Sequence, residues 1–321
     1  MYEKLLDLDT TRINFSAGGM HIVNIVLAFV MFGVALGIKP SMFREILRSP
    51  KSVLVGVLSQ VLVLPALTFI LVVLLGNTIT PMVAMGMILV ASCPGGNISN
   101  FISQLSKGNI ELSVSLTAIS TSFSPLIMPF NFSLWGSFYV NYVNNHAHNA
   151  LQELSIPFFN VFETVLLLLG LPLLLGLLTS KFLPKIANFL KKPMQYLSIA
   201  FFLVMVIMAF KQNFDIFLQC IVYIFGIVLI HNLLALLIGY LLGTAFRLPL
   251  RDRKTISIET GIQNSGLALV LLFNPNIFPP DLAIGGMLIV TAWWGVWHII
   301  SGLSIATFWN RKEHRKAKTI C

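Results

Sequence analysis

Charged residues are scarce in this chain. Of its 321 residues only 10% are Asp, Glu, Lys or Arg, whereas 56% are hydrophobic and the mean hydropathy is +0.86. One water-soluble core could not bury so much apolar surface, and the apolar runs are longer than core helices require. The composition excludes an ordinary soluble domain and predicts an all-α polytopic membrane protein.

Cysteine and the common catalytic motifs are also rare or absent. Cys93, Cys220 and Cys321 are too few and too widely spaced for a disulfide framework, so we interpret them as packing residues. The sequence contains no HExxH motif, no GxSxG motif and no pair of intramembrane aspartates. These absences argue against an intramembrane enzyme. No nucleotide-binding motif is present either.

Apolar runs alternate with charged or turn-rich breaks along the chain. A membrane-spanning helix needs about 20 mostly apolar residues. The segments that meet this requirement are 18–38, 52–76, 81–106, 109–135, 155–180, 194–211, 213–246, 254–275 and 281–308, which makes nine predicted spans. The seventh is long for one helix, so two shorter elements are an alternative there.

Basic residues are distributed unequally between the two sides of the predicted spans. Lys and Arg accumulate in cytoplasmic loops, and 18 of the 21 basic residues follow spans 1, 3, 5, 7 and 9. The other side has Lys4, Arg12 and Lys211, and its long loop 140–155 has none. We therefore expect a cell (inner) membrane protein with its N-terminus outside and its C-terminus in the cytoplasm. The same asymmetry explains the net charge of +9 without a nucleic-acid partner.

The predicted organisation is a single transmembrane domain with two tails. Residues 1–17 form an external tail rather than a signal peptide, because acidic residues stand where a basic region would be. Residues 18–308 form the domain, with a first repeat of about 18–135 and a second of about 155–308. Residues 309–321 form a basic cytoplasmic tail. The lipid bilayer is the expected surrounding, and no obligate protein partner is evident.

The third span contains residues that disfavour a continuous helix. Its sequence SCPGGNISN, residues 92–100, includes Pro-Gly-Gly-Asn at 94–97. Proline removes a backbone donor, glycine lowers helical propensity, and freed backbone groups are costly unless they face protein or water. A simple proline kink is the alternative. The polar residues that follow favour an unwound binding segment instead.

The eighth span is interrupted in a similar way. The run TISIETGIQNSGLALV, residues 255–270, combines helix breakers with oxygen donors, namely Gly261, Asn264 and Gly266 with Glu259, Gln263 and Ser265. Spans 3 and 8 are five spans apart, so their helices run in opposite directions. Discontinuous helices at corresponding positions of inverted halves are typical of a secondary transporter's binding site. The residues of the two halves show no clear repeat, so this prediction rests on position.

Glu259 lies deeper in its predicted span than the other intramembrane acidic residues. An ionised carboxylate at that depth needs a cation partner, and neither span 3 nor the polar part of span 8 contains Lys or Arg. A metal cation or a proton would serve. Hydroxyl, amide and carboxylate oxygens suit an alkali cation better than zinc or copper. A protonated Glu259 that hydrogen-bonds to neighbouring amides is the alternative.

Together these motifs resemble the bile acid:sodium symporter family. The resemblance runs from about residue 20 through the chain and is carried by GVLSQVLVLP at 56–65, SCPGGNISN at 92–100, ELSVSLT at 111–117 and ETGIQNSG at 259–266. It implies inverted repeats and a core domain with two crossing discontinuous helices, in spans 3 and 8, beside a panel domain. Several bacterial members have ten spans, whereas this chain is similar to the animal members in lacking the first.

The resemblance also implies two Na+ sites. The first would use the side chains of Ser99, Asn100, Ser113, Thr117 and Glu259. The second would use Gln60, Glu259 and Gln263 with the backbone carbonyls of Thr260 and Ile262. Gln60 enters only through the resemblance, because one polar residue in an apolar span is unremarkable by itself.

Substrate is expected against the crossing, near Asn97 and Asn264, with His298 as a weaker candidate. Some bacterial relatives have Thr in place of Asn97, and a bacterial relative has Asn in place of Ile299, so the polar contacts to substrate differ here. His298 could equally be an interhelical hydrogen bonder. For His231 and Asn232, midway along span 7, we favour a packing role.

The sequence thus predicts a sodium-coupled symporter that moves an organic anion, such as a bile acid or a small carboxylate, by alternating access. One alternative is a proton-coupled transporter or cation/proton antiporter that uses Glu259. Another is a membrane receptor of the same fold that binds substrate without moving it.

Overall fold

The computed structural model describes residues 2–9, 17–146, 158–211, 214–274, 277–278 and 282–320. Their secondary structure is helical, apart from an isolated antiparallel bridge between Gly95 and Gln263. Within these described ranges, five helical segments are long and apolar enough to cross a membrane, namely Pro50–Thr78, Ile110–Asn145, Phe162–Phe182, Val222–Ala245 and Gly285–Arg311. The chain is therefore an all-helical, multi-pass membrane protein, while the count of nine spans stays a prediction.

The first half of the chain forms helices α1 to α8. They are α1 Tyr2–Asp9, α2 Ala17–Leu36, α3 Glu45–Arg48, α4 Pro50–Leu58, α5 Leu64–Leu75, α6 Pro81–Ser92, α7 Ile98–Leu105 and α8 Ile110–His146. A π-helical turn, Ser59–Val63, joins α4 to α5 within the predicted second span. Pro50 and Pro81 stand in the first turns of their helices, where the missing N–H removes no helical hydrogen bond.

The second half forms helices α9 to α14. They are α9 Phe158–Phe182, α10 Pro184–Lys211, α11 Phe214–Ala245, α12 Leu250–Gly261, α13 Ser265–Leu272 and α14 Gly285–Ile320. The long seventh segment is one helix, α11, and not two shorter elements. Both α8 and α14 continue well beyond the predicted spans, because hydropathy marks the apolar part of a helix and not its polar continuation. Residues 10–16, 147–155 and 321, in the predicted tails and external loop, lie outside the described residues.

The helices that carry the predicted interruptions lie at the centre of the molecule. In α6 every residue from Met82 to Ser92 is buried, and in α13 so is every residue from Leu267 to Leu272. A helix that is buried on all sides belongs to the core. Leu167, Leu171 and Leu174 of α9 are instead more than half exposed, as expected of a surface that faces lipid.

The short helix α1 packs against α6, α11 and α14. Leu5 is fully buried in the main hydrophobic cluster, and Asp9 is only 8% exposed. The Asp9 carboxylate accepts hydrogen bonds from Thr80 Oγ1 at 2.9 Å and from the Met82 amide at 3.2 Å. It therefore satisfies backbone and side-chain donors at the start of α6, where a negative charge also suits the helix dipole.

Candidate functional site

The two interruptions pair with each other through their backbones. One separates α6 from α7 at residues 93–97, and the other separates α12 from α13 at residues 262–264. The Asn264 amide donates to the Pro94 carbonyl at 2.8 Å, and the Gly96 amide donates to the Ile262 carbonyl at 2.9 Å. Backbone groups that a continuous helix would have satisfied are thus satisfied across the two breaks.

The Glu259 carboxylate is fully buried beside these breaks and is surrounded by hydroxyl groups. Its Oε1 atom accepts hydrogen bonds from Ser99 Oγ at 2.5 Å and from Ser113 Oγ. Its Oε2 atom accepts one from Thr117 Oγ1 at 3.1 Å. These donors come from α7 and α8, and Gln60 Nε2 is a longer-range donor to Oε2 at 3.5 Å, so the carboxylate of α12 joins at least three helices. Among the described residues, the side chains that donate to this carboxylate are neutral.

Asn100 completes the first predicted group. Its Oδ1 atom accepts from Ser113 Oγ at 3.0 Å and from Thr117 Oγ1 at 3.4 Å. The five side chains expected at the first cation site therefore lie within one hydrogen-bonded cluster. Their oxygens are hard ligands of the kind that alkali cations prefer. Their role as ligands stays a prediction.

The second predicted group contacts the backbone carbonyls of Glu259 and Thr260. Gln60 Nε2 donates to the Glu259 carbonyl at 2.6 Å, and Gln263 Nε2 donates to the Thr260 carbonyl at 2.8 Å. Both amide Oε1 atoms are buried and have no hydrogen-bond partner among the described residues. The Ile262 carbonyl accepts from Gly96 and keeps a second lone pair. A buried acceptor without a donor is costly, so two of them in this group call for a ligand.

Gly95 lets the first break approach this cluster closely. A Cβ atom at this position would lie 2.9 Å from Gln60 Nε2 and 3.1 Å from Glu259 Oε2. The Gly95 amide also donates to Ser120 Oγ at 3.3 Å. No other residue fits here without displacing the polar side chains that the break adjoins.

The three residues predicted to contact substrate occupy different settings. Asn97 is exposed just before α7, and Asn264 is half-buried just before α13, where its Oδ1 atom accepts from the Leu267 amide at 3.1 Å. His298 is buried, and its Nδ1 atom lies 2.7 Å from the Trp294 carbonyl of its own helix. Within the described part of the chain, His298 makes no hydrogen bond to either asparagine.

Two residues whose roles the sequence left open make interhelical contacts. Asn232 Nδ2 donates to the Gly261 carbonyl at 2.7 Å, and Asn232 Oδ1 accepts from Ser301 Oγ at 2.5 Å. The Nε2 atom of His231 lies 2.7 Å from Thr68 Oγ1. Asn232 therefore ties α11 and α14 to the last residue of α12. These contacts fit the packing role that we favoured from the sequence.

Sequence reasoning missed a second polar junction at the other end of α12. Asp252 is buried, and its carboxylate accepts from Ser52 Oγ at 2.6 Å and from Asn109 Nδ2 at 3.0 Å. The bonds link α12 to α4 and to the turn before α8. Asp252 looked like a loop residue because it stands among Arg251, Arg253 and Lys254, and only the tertiary contacts distinguish it.

The chain matches a known protein family. Residues 24–220 match the family described as the Sodium Bile acid symporter family, a match that covers more than half of the chain and includes the first break. The chain belongs to the sodium bile acid symporter family. Members of this family are sodium-coupled transporters, so the chain is a transporter and not an enzyme.

Individual relatives agree with membership of the sodium bile acid symporter family. The Bacillus subtilis protein named "Uncharacterized sodium-dependent transporter YocS" is 30% identical over 297 residues, which cover 92% of this chain and 84% of the relative. The human "P3 protein" is 30% identical over 229 residues, or 71% of this chain and 46% of the relative, so the chain spans about half of its length. The Arabidopsis thaliana "Probable sodium/metabolite cotransporter BASS1, chloroplastic" is 27% identical over 302 residues, with shares of 90% and 67%.

Proposed function

We propose that this protein couples the entry of Na+ to the uptake of an organic anion by alternating access. The observation that carries the proposal is the fully buried Glu259 carboxylate, which joins the two broken helices and receives only neutral donors from the described side chains. A carboxylate at that depth is unfavourable without a partner of opposite charge. A co-transported cation supplies that charge and leaves with the substrate.

Two Na+ ions are proposed, one on each side of Glu259. Ser99, Asn100, Ser113 and Thr117 would hold the first with the carboxylate itself. Gln60 and Gln263 would hold the second, together with the carboxylate and the carbonyls of Thr260 and Ile262. The unpartnered Oε1 atoms of the two glutamines support a metal cation over a proton, because the single proton of a protonated Glu259 could satisfy at most one of these two acceptors.

The substrate is proposed to be an organic anion that binds where α7 and α13 begin. Backbone amides and the positive ends of helix dipoles at these two starts favour an anionic group. Asn97 and Asn264 stand at the same starts and offer amide hydrogen bonds. The family name points to a bile acid and the Arabidopsis relative's name to a metabolite, so the proposed class is a carboxylate or similar anion.

The proposed architecture follows the sequence prediction. The nine spans place the N-terminus outside and the C-terminus in the cytoplasm of the inner membrane, and the broken helices cross near the midplane. The backbone bonds between the breaks support this crossing. A core that contains α6, α7, α12 and α13 would move against a panel that contains α2, α9 and α10, so that the site opens to each side in turn.

The test is the thermal stability of the purified protein in NaCl against KCl, for wild type, Glu259→Gln and Glu163→Gln. A ligand that binds only the folded protein raises its melting temperature with concentration. We expect a sodium-specific rise in wild type and in Glu163→Gln, which alters an exposed carboxylate. We expect Glu259→Gln to lose the rise. Equal stability of the wild type in the two salts would overturn the sodium sites.

Transport measurements distinguish this function from a proton-coupled transporter and from a receptor. A proton-coupled transporter would show no preference for Na+ over K+, while its substrate uptake would follow an imposed pH gradient. A receptor of the same fold would bind the anion in a sodium-dependent way but would not accumulate it in proteoliposomes. Sodium-driven accumulation of a labelled carboxylate against its gradient contradicts both.

A further inference from the structure

Gln60 reaches Glu259 because of a local departure from α-helical geometry. In the turn Ser59–Val63 the Leu64 amide donates to the Ser59 carbonyl, five residues earlier and not four. One additional residue in a turn rotates the side chains on its two sides by about 100° relative to each other. In this turn Ser59 Oγ lies 2.7 Å from Thr260 Oγ1, and Gln60 Nε2 lies 2.6 Å from the Glu259 carbonyl. Two consecutive residues therefore face α12.

Pro65 leaves one carbonyl of this turn without its usual donor. In an α-helix the Val61 carbonyl would accept from the amide of residue 65, but proline has no N–H. Asn131, on α8, supplies the missing donor. Its Nδ2 atom donates to the Val61 carbonyl at 2.8 Å, and the side chain is only 3% exposed.

Gln60 lies beside a cavity next to Asn131, so its orientation depends on the backbone turn that the Asn131 hydrogen bond supports. A small cavity lies here, and its lining includes Gln60, Ser92, Ser120, Ser124 and Asn131. Gln60 Oε1 has no partner among the described residues. The amide of Gln60 is therefore held by its bond to Glu259 and by the backbone turn beneath it, which Asn131 fixes.

We propose that Asn131 is a positioning residue for the second cation site. It satisfies the Val61 carbonyl and so maintains the π turn, and the π turn presents Gln60 to Glu259. This inference rests on the proposed function, because it concerns the affinity of one of the two proposed Na+ sites. Asn131 acts through Gln60 and is not itself a ligand. Ser113 and Thr117 stand on the same helix, so α8 would support both sites.

The experiment titrates NaCl at constant ionic strength and measures the Na+ concentration that gives half of the maximal thermal stabilisation. Asn131→Leu removes the donor and keeps the same number and branching of side-chain heavy atoms. We expect this concentration to rise about tenfold, the lower end of the range for groups that orient metal ligands. Ser124→Ala is the matched control, because its hydroxyl lines the same cavity and, among the described residues, donates to the Thr121 carbonyl of its own helix. It should leave the concentration unchanged.

A double-mutant cycle tests the physical cause. Pro65→Ala gives residue 65 an N–H that can donate to the Val61 carbonyl, so Asn131→Leu should have little effect in that background. This comparison stays informative if Asn131→Leu alone does not fold. The inference is overturned if Asn131→Leu leaves the half-stabilising Na+ concentration unchanged. It is also overturned if Asn131→Leu raises that concentration equally in the wild-type and Pro65→Ala backgrounds. A wild type without any sodium-specific stabilisation overturns the proposed function instead.

Discussion

Ser99 donates a hydrogen bond to the Glu259 carboxylate at 2.5 Å, although 160 residues separate the two in the sequence. The bond joins the first turn of α7, which follows one break, to the last turn of α12, which precedes the other. Ser99 is fully buried, as is Glu259, so neither group can exchange its partner for water. The contact makes the two breaks parts of one polar site.

Ser113→Ala should weaken the response to sodium more than it weakens the fold. The Ser113 hydroxyl lies within hydrogen-bond distance of the Glu259 carboxylate and of Asn100 Oδ1, so its removal takes one oxygen from the proposed first site. We expect the half-stabilising Na+ concentration to rise about tenfold or more. Ser92→Ala is the control, because that hydroxyl donates to the Ile88 carbonyl of its own helix. Equal sodium titrations of the two variants would contradict the proposed ligand.

Gly95→Ala should lower both stability and sodium binding. The added methyl would meet Gln60 and Glu259 at distances that require one of them to move, at a cost of about 1–3 kcal/mol. Gly226→Ala is the matched control, since a Cβ at that position in α11 has no neighbour within 4 Å. We expect it to stabilise the helix by a few tenths of a kcal/mol or more. The melting temperatures of both variants in KCl and in NaCl test this pair.

The docking of α1 should strengthen as the pH falls. Burial raises the pKa of Asp9 from its ordinary value of 3.8 to about 7, and the hydrogen bonds from Thr80 and Met82 oppose that rise only in part. Since the folded protein binds the proton more tightly, stability is greatest below about pH 4. It declines as the pH rises towards 7 and is constant above that value. Asp9→Asn should flatten this part of the profile, which hydrogen exchange of the α1 amides from pH 4 to 8 would measure.

Transport of a monovalent anion with two Na+ ions should be electrogenic. One net positive charge would then enter per cycle, and an inside-negative potential contributes about 2.3 kcal/mol per 100 mV for each charge. Uptake into proteoliposomes should therefore accelerate when valinomycin sets an inside-negative K+ potential. Uptake that does not respond to the potential would indicate one Na+ per monovalent anion, and one proposed site would have to be abandoned.

Much of the site follows from residue types that oppose helix formation in an apolar run. Helices end at the Pro-Gly-Gly-Asn of residues 94–97 and at the Gly261 to Asn264 segment. Proline removes a helical donor in the first segment, and glycine and asparagine lower helical propensity in both. Glu259 was identified as a candidate because an ionised carboxylate at that depth in the membrane is energetically unfavourable without a cation. These features depend on residue type and local context alone, so they can be recognised in a single sequence.

Other parts of the site depend on tertiary contacts and give no local signal. Asn131 is one amide in an apolar helix, and its importance appears only when Pro65 is seen to leave the Val61 carbonyl without a donor. Asp9 lies in a segment that reads as a polar tail, yet its carboxylate is buried at the start of α6. Hydropathy records how apolar a segment is and not which surface will cover it.

The hydrogen bonds between the two breaks limit how this protein can be altered. The Asn264 amide donates to the Pro94 carbonyl, and the Gly96 amide donates to the Ile262 carbonyl. Each break therefore satisfies backbone groups of the other. Substitutions that made residues 93–97 continuously helical would leave the Asn264 amide and the Ile262 carbonyl without hydrogen-bond partners in an interior without water. Neither helix can be made continuous by itself without leaving backbone groups of the other break unsatisfied.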